Sequence, residues 1–417
     1  MLHSALGLVA LMVIAWLSSA ERSRISRLPW RMVVAGLALQ FGIAGLVLKV
    51  PAFKALFMGL NGVVHALEEA TRAGTSFVFG FVGGGQAPFA VTNPALTFSL
   101  AFQALPLVIL IAALASLFFY WGILQRVVRV FSLLLEKAMG IGGALGVGAA
   151  GCIFLGMIES PLLIRPYLVV MTRSELFALM ATGMSCIAGT MLVLYASVLT
   201  NVIPDALGHI LTASVIHAPA ALLVASLMIP ERGSPTLGHD MPKSAATGSV
   251  DALCRGTWEG LQLFWNIVAM LIVFVAVVKL ANIGLAALPD VSGAPMTLQR
   301  GLGVALSPVA WLIGVPWAEA QTAGSLLGTK VILNEFLAFI DLAALPVDAL
   351  SAHSRLILTY AMCSFANFGS LGILIAGLGT LCPERRSEIT SLGLRSLLAG
   401  VIASLMTGCV VGIIASL

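Results

Sequence analysis

The chain has 417 residues, of which 59% are hydrophobic and 10% charged, with 22 Lys+Arg against 18 Asp+Glu. A water-soluble domain carries about 25% charged residues and about 45–50% apolar ones, so a soluble enzyme is excluded. A net charge of +4 over this length leaves no basic footprint, which excludes a nucleic-acid partner; the composition is that of an all-α polytopic membrane protein.

A helix needs about 20 mostly apolar residues to cross the hydrocarbon core. Met1–Ala20 carries no charge and predicts the first crossing. It ends in Ser-Ser-Ala, as signal-peptidase sites do, but signal peptides carry their positive charge before the apolar stretch. Here Arg22, Arg24, Arg27 and Arg31 follow it, which favours a membrane helix with an outside N-terminus. Leu28–Leu48 predicts the second crossing, and Ala52–Ala73 an interfacial helix. The charge-free run Ala73–Gln125, interrupted by the glycines of Gly80–Gly85, supplies one crossing near Leu100–Leu124. Leu176–Pro204, Ala206–Pro230, Gly260–Val278, Leu356–Pro383 and Ser396–Leu417 complete a set of eight.

Basic residues collect on the cytoplasmic side of membrane proteins. With the first loop inside and alternating sides, 15 of the 22 basic residues fall inside and 7 outside. Both termini are then outside, provided that two further segments enter and leave on one side. Those segments are Met139–Tyr167 and Ala318–Ala344, each apolar but charged near its middle, with Glu159 in the first and Lys330 and Glu335 in the second. Each reads as two half-helices meeting at a polar turn, a re-entrant hairpin. Irregular backbone at membrane depth is tolerated only where it lines a cavity or is buried in protein. Broken helices at corresponding places in two halves point to a transporter binding site.

An internal repeat supports this. Ser174-Glu-Leu-Phe follows the first hairpin, with Thr190 sixteen residues later; Ser354-Arg-Leu-Ile follows the second, with Ser370 at the same interval. The first hairpin opens inward and the second outward, so the repeat is inverted, which suits alternating access. The hydrophilic stretch Glu231–Asp251 separates the halves. The expected organisation is N-terminal scaffold helices and an interfacial helix (1–137), a first transport repeat (138–230), a cytoplasmic loop with a scaffold helix (231–295) and a second transport repeat (296–417).

Glu159 lies in Leu155-Gly-Met-Ile-Glu-Ser-Pro, where Ser160 and Pro161 look like a helix start. A carboxylate at the hairpin tip is a substrate hydroxyl acceptor or a proton carrier; its structural alternative is a cap on half-helix amides. Glu335, at the second tip, offers a carboxylate to a vicinal diol; its structural alternative is a pair with Lys330. Asn367 and Ser370 are three apart and share a helix face, with interhelical hydrogen bonding as the alternative. Phe365 can stack on a flat ligand or simply pack. His209, His217 and His353 are expected near span ends, without a special role. The six cysteines make no paired spacing. A membrane hydrolase built on Glu159 and Glu335 lacks a nucleophile–base pair, and a channel leaves the repeat unexplained. The motifs imply no cofactor and no resident metal.

The stretches Ile153-Phe-Leu-Gly, Glu159-Ser-Pro-Leu-Leu-Ile-Arg-Pro-Tyr167, Ile187-Ala-Gly, Trp311-Leu-Ile-Gly-Val-Pro-Trp317, Thr322-Ala-Gly-Ser-Leu-Leu-Gly-Thr-Lys330, Leu333-Asn-Glu-Phe336, Phe365-Ala-Asn-Phe368 and Pro383-Glu-Arg-Arg386 resemble the concentrative nucleoside transporters. The resemblance implies eight membrane helices, two re-entrant hairpins, interfacial helices, a homotrimer in a bacterial inner membrane, and cation-coupled nucleoside uptake by an elevator-like motion. Carried over, Glu335, Asn367 and Ser370 match ribose-binding positions, and Phe365 and Met191 line the nucleoside pocket. The tip residues Gly156, Met157, Ile158 and Glu159 match the family's Gly-Gln-Thr-Glu.

Two departures change the expected chemistry. Met157 and Ile158 stand where the family places Gln and Thr on the base, and neither makes a useful hydrogen bond, so base recognition is expected to be broad and shape-based. The family's sodium site uses an Asn and a Ser side chain plus two carbonyls, here of Leu155 and Ile187. The side-chain positions are Cys152 and Cys186 in this chain. Sodium prefers hard oxygen ligands, so proton symport is expected, with Glu159 as carrier and sodium coupling as the alternative.

Overall fold

The computed structural model describes residues 2–19, 29–91, 97–200, 202–238, 240–242, 244–287, 289–290 and 295–417. Arg22, Arg24, Arg27 and Lys243, four of the residues that orient the chain, lie outside the described residues. Helices account for every element, with no strand among the described residues.

Helices α1 (Leu2–Leu17) and α2 (Trp30–Lys49) coincide with the first two expected crossings. α3 (Pro51–Phe79) opens on Pro51, whose fixed φ suits a first helical position. It runs past the expected Ala73 and stops at Gly80, where φ of +59° favours glycine. A π-helical turn at Leu100–Ala104 leads into α4 (Leu107–Tyr120). Sequence reading did not anticipate α5 (Ile123–Met139), whose basic residues served only as loop charges there. Its buried residues Val128, Ser132, Leu135 and Met139 nonetheless recur at helical spacing.

The next elements form a unit that occurs twice in the same order. Helices α6 (Gly143–Phe154) and α7 (Glu159–Leu163) make the first hairpin. A helix broken at residues 186–188 follows, as α8 (Arg173–Ser185) and α9 (Gly189–Leu199), and then the almost wholly buried α10 (Ala206–Met228). After the 37-residue α11 (Ser249–Leu285) and α12 (Leu298–Leu312), the order returns. A hairpin, α13 (Trp317–Ile332) with α14 (Glu335–Ala344), precedes the broken helix α15 (Ala352–Met362) and α16 (Phe368–Leu381) and the long buried α17 (Arg386–Ala415). The stretch 356–383 is therefore two half-helices, not one continuous helix. α12 was also unforeseen; it bends by 116° into α13.

By length and apolarity, six helical stretches among the described residues are fit to cross a membrane: Trp30–Lys49, Leu100–Tyr120, Arg173–Leu199, Ala206–Met228, Ser249–Leu285 and Pro383–Ala415. α1, α6 and α16 are shorter apolar helices. α10 and α17 pack together at the centre, with α8 and α15 against both and α1 and α2 outside them.

Polar side chains fasten the ends of these helices. Thr172 and Glu175 form a capping box at the start of α8. The same Glu175 carboxylate accepts from the Thr236 amide at 2.7 Å and hydroxyl at 2.6 Å, which ties down the hydrophilic loop. Arg385 donates to the carbonyls of Leu168 (2.9 Å) and Met171 (2.7 Å), joining α17 to the end of the first hairpin. Arg355 does the same for the second hairpin, donating to the carbonyls of Leu342 and Pro346 beyond the middle of α14.

α11 lies along α4, and the contact is made by two glycines four residues apart. A Cβ on Gly256 would stand 2.6 Å from the Ala112 carbonyl oxygen, and one on Gly260 2.8 Å from Ile109 Cα. Such small residues let apolar helices approach where no hydrophobic force drives them together. Gly260→Leu is expected to push the pair apart and destabilise the protein by about 1–3 kcal/mol, read as a lowered Tm in detergent; an unchanged Tm would exclude this packing.

Candidate functional site

The two broken helices cross where their backbones unwind. α8 ends at Ser185 with Cys186 extended, and α15 ends at Met362 with Cys363 out of helical geometry. The Phe365 amide donates to the Cys186 carbonyl at 3.4 Å, so the two breaks are hydrogen-bonded to each other. Unwound backbone of this kind leaves carbonyls and amides for other partners.

The second hairpin's tip closes on this crossing. Asn334 caps α14, its Oδ1 accepting from the Leu337 amide at 2.8 Å. Asn367 caps α16 in the same way, accepting from the Ser370 amide at 2.7 Å. Both are favoured N-cap residues, and this local chemistry starts each half-helix where it does. Glu335, the first residue of α14, is 4% exposed. Its Oε2 accepts from Asn367 Nδ2 at 2.9 Å, and its Oε1 from the Tyr195 hydroxyl at 2.5 Å. Ser370 is buried beside Asn367 in the first turn of α16. Lys330 is buried too, but its Nζ donates to the Ala366 carbonyl at 3.0 Å, not to the Glu335 carboxylate. The lysine therefore fastens the unwound stretch, while Tyr195 and Asn367 satisfy the carboxylate. Met191 is buried four residues before Tyr195, on the same face of α9, and Phe365 is half-buried.

The first hairpin's tip is built differently. Gly156 turns the chain with φ of +107°. The Ser160 hydroxyl donates to the Gly148 carbonyl across the hairpin. Met157 is buried against Gly183 of α8, where a Cβ would come within 3.1 Å of Met157 Cβ. Ile158 reaches Gly377 of α16, where a Cβ would come within 2.2 Å of its Cδ1. Both side chains thus fill glycine notches in neighbouring helices. Glu159 is exposed at the start of α7, with Glu259 of α11 as a charged neighbour. No hydrogen bond among the described residues joins Glu159 to the Glu335 cluster.

Cys152 and Cys186 are buried, and the Cys186 thiol donates to the Ser214 carbonyl at 3.6 Å. The Ser214 hydroxyl donates in turn to the Ile153 carbonyl at 3.2 Å. Leu155 closes α6, and Ile187 lies in the break between α8 and α9. Among the described residues no three His, Cys, Asp or Glu converge as a metal would require.

Two residues were missed by sequence reading. Tyr195 sits in an apolar run, and only its place one turn after Met191 marks it. His217 was expected near a span end, but it lies well inside α10, fully buried, with the backbone of Ser185, Tyr360 and Cys363 around it. His209 accepts or donates at Nδ1 to the Tyr360 hydroxyl, 2.9 Å away.

A bundle of apolar helices with two hairpins, two broken helices and a buried polar cluster at their crossing defines a membrane transporter rather than an enzyme. Residues 6–82 and 209–412 match family models described as the Na+ dependent nucleoside transporter N-terminus and C-terminus, and 101–201 match one described as nucleoside recognition. An uncharacterized transporter of Haemophilus influenzae is 38% identical over 99% of this chain and 97% of its own length. The nucleoside permease NupC of Helicobacter pylori is 32% identical over 99% and 97%. The structure of CNTnw in an inward-facing substrate-bound state superposes with a TM-score of 0.89 at 32% identity, covering 100% of this chain and 98% of CNTnw. The chain belongs to the concentrative nucleoside transporter family.

Gly377→Ala is expected to displace Ile158 and destabilise the tip by about 1–3 kcal/mol. Ile158→Ala in the same chain should recover most of that loss. Thermal unfolding of the two single variants and the double variant checks this; strictly additive losses would show that the notch does not hold the side chain.

Proposed function

We propose that this protein takes up nucleosides by cation symport with alternating access, and that Glu335, Asn367 and Ser370 bind the ribose. The observation that carries this reading is the buried Glu335 carboxylate, oriented by Asn367 and Tyr195 at the crossing of two broken helices. A carboxylate so placed accepts hydrogen bonds from a diol, and broken helices of repeated units are where transporters hold substrate. Met191 and Phe365 then wall the base. Because Met157 and Ile158 are spent on glycine notches, base contacts from the first tip are apolar, and purine and pyrimidine nucleosides are both accepted. Gly156 shapes that tip and Glu159 borders the site.

In this reading the chain crosses a bacterial inner membrane eight times, with both termini outside and both hairpins re-entrant. The two repeats, 138–230 and 296–417, are inverted and move as the transport unit against the scaffold segments 1–137 and 231–295, in a homotrimer.

Sodium is the coupling ion we favour, because two of the matched family models carry that ion in their description. The carbonyls of Leu155 and Ile187 would be hard ligands for it. Proton coupling through Glu159 is the second reading, and one observation favours it: Cys152 and Cys186 bring sulfur where sodium wants oxygen.

Uptake of labelled uridine and adenosine into proteoliposomes, under a sodium gradient and a proton gradient separately, tests both. Sodium-driven uptake indifferent to pH would remove the proton reading, and proton-driven uptake without sodium would remove the sodium one. Cys152→Asn with Cys186→Ser is expected to strengthen sodium stimulation. Glu335→Gln is expected to lower uridine affinity by about tenfold or more, since a hydrogen bond to a charged group contributes about 1.5–3 kcal/mol; unchanged uptake would remove its ribose role.

A further inference from the structure

We propose that α5 is a docking surface for anionic phospholipid headgroups of the cytoplasmic leaflet, and that through it these lipids brace the first hairpin. The inference rests on the topology proposed above and is independent of the substrate.

α5 has 17 residues, four of them charged, and is unfit to cross a membrane. Gly122, with φ of +74°, turns the chain from α4 into it. Trp121 stands at that turn, 49% exposed, its indole N–H donating to Ser249 Oγ at 3.1 Å. Tryptophan collects at the headgroup level of a bilayer. One face of α5, with Val128, Ser132, Leu135 and Met139, is buried. It is fitted to α6, where a Cβ on Gly146 would stand 2.9 Å from Ser132 Oγ and 2.8 Å from Glu136 Oε1. The Phe131 ring meets Phe154, the last residue of α6, edge-on at 5.1 Å. Whatever holds α5 therefore also holds the first hairpin.

The opposite face is exposed and mixes two chemistries. Val130, Leu133 and Leu134 are open to the outside, Val130 by 66%, and Arg126, Arg129 and Lys137 are interleaved with them. Among the described residues no hydrogen bond or ion pair engages these three basic side chains. Glu136, the one acid of the helix, turns inward and accepts from the Ser132 hydroxyl at 2.9 Å. The exposed Arg31 adds a further cation at the C-terminal end, where a Cβ on Gly140 would come within 2.9 Å of its guanidinium carbon. Water would leave the apolar side chains unburied, and an apolar partner would strand the cations. An anionic lipid surface meets both, with acyl chains under the apolar residues and phosphates at the basic heads, whose stems lie along the apolar layer.

The test is the Tm of the detergent-solubilised protein, titrated with phosphatidylglycerol or, separately, with phosphatidylcholine. Phosphatidylglycerol is expected to raise Tm saturably and phosphatidylcholine much less, with the gain lost at high salt, which screens the charges. Each basic residue near an anionic surface adds about fivefold to the affinity, so Arg126→Gln, Arg129→Gln and Lys137→Gln together should weaken the apparent lipid affinity about a hundredfold. Arg126→Lys with Arg129→Lys should keep most of it. Equal stabilisation of the wild-type protein by both lipids would overturn the proposal, and so would an undiminished response in the triple variant. A triple variant that loses its oligomer by light scattering would overturn it too, assigning the face to a second copy of the chain. The topology is checked separately at Cys254, an exposed cysteine near the start of α11. An impermeant maleimide is expected to label it only in inside-out vesicles; labelling in right-side-out vesicles would overturn the assignment to the cytoplasmic leaflet. None of these readouts uses a nucleoside, so they stand apart from the nucleoside reading.

Discussion

A carboxylate buried in an apolar bundle has to be met by donors, and that requirement decides how the second hairpin seats. Isolated charges are not tolerated at such depth unless neighbours satisfy them. Glu335 is met by a phenol from α9 and an amide from the start of α16. These two contacts bring one half of each broken helix to the hairpin tip. Asn367 serves twice, capping α16 with its oxygen and holding Glu335 with its nitrogen, so helix start and site geometry are set by one side chain. Lys330, the obvious partner by charge, is occupied by the Ala366 carbonyl. The lysine secures the unwound chain that carries Asn367, and it supports the site from behind.

The two hairpins solve the same problem with opposite chemistry. The second tip is polar, buried and bonded into the broken helices. The first is seated by Met157 and Ile158 in glycine notches on α8 and α16, and it leaves Glu159 exposed. A hydrogen-bonded tip has directional partners that a substrate can extend. An apolar tip contributes shape and close packing. Specificity for the sugar and tolerance for the base follow from that asymmetry under the proposed function.

Much of the architecture was legible because the bilayer imposes a simple rule: charge-free stretches near twenty residues become helices. The boundaries of α1, α2 and α10 came from that rule, and the charges inside two apolar segments marked the hairpins. It failed where apolarity and continuity part company. Leu356–Pro383 has no charge after Arg355 and reads as one span, yet Asn367 caps a new helix in its middle. α5 was passed over because its apolar residues lie on one face, a pattern that periodicity detects and a hydropathy window does not.

What the sequence determined alone was the membrane class, the repeated order of hairpin and following helix, and Glu335, Asn367 and Ser370 as polar residues in apolar surroundings. Each is written in local composition, because a charge or a cap in an apolar run stands out without knowledge of its partners. Tertiary structure decided the rest. It hydrogen-bonded Glu335 to Tyr195, 140 residues away, while Lys330, five residues away, donates to the Ala366 carbonyl. It moved His217 from an expected span end to the buried crossing, and gave Met157 and Ile158 seats that only Gly183 and Gly377 make possible. Hydrogen bonds and close packing depend on which faces meet, and sequence spacing does not carry that information across a helical bundle.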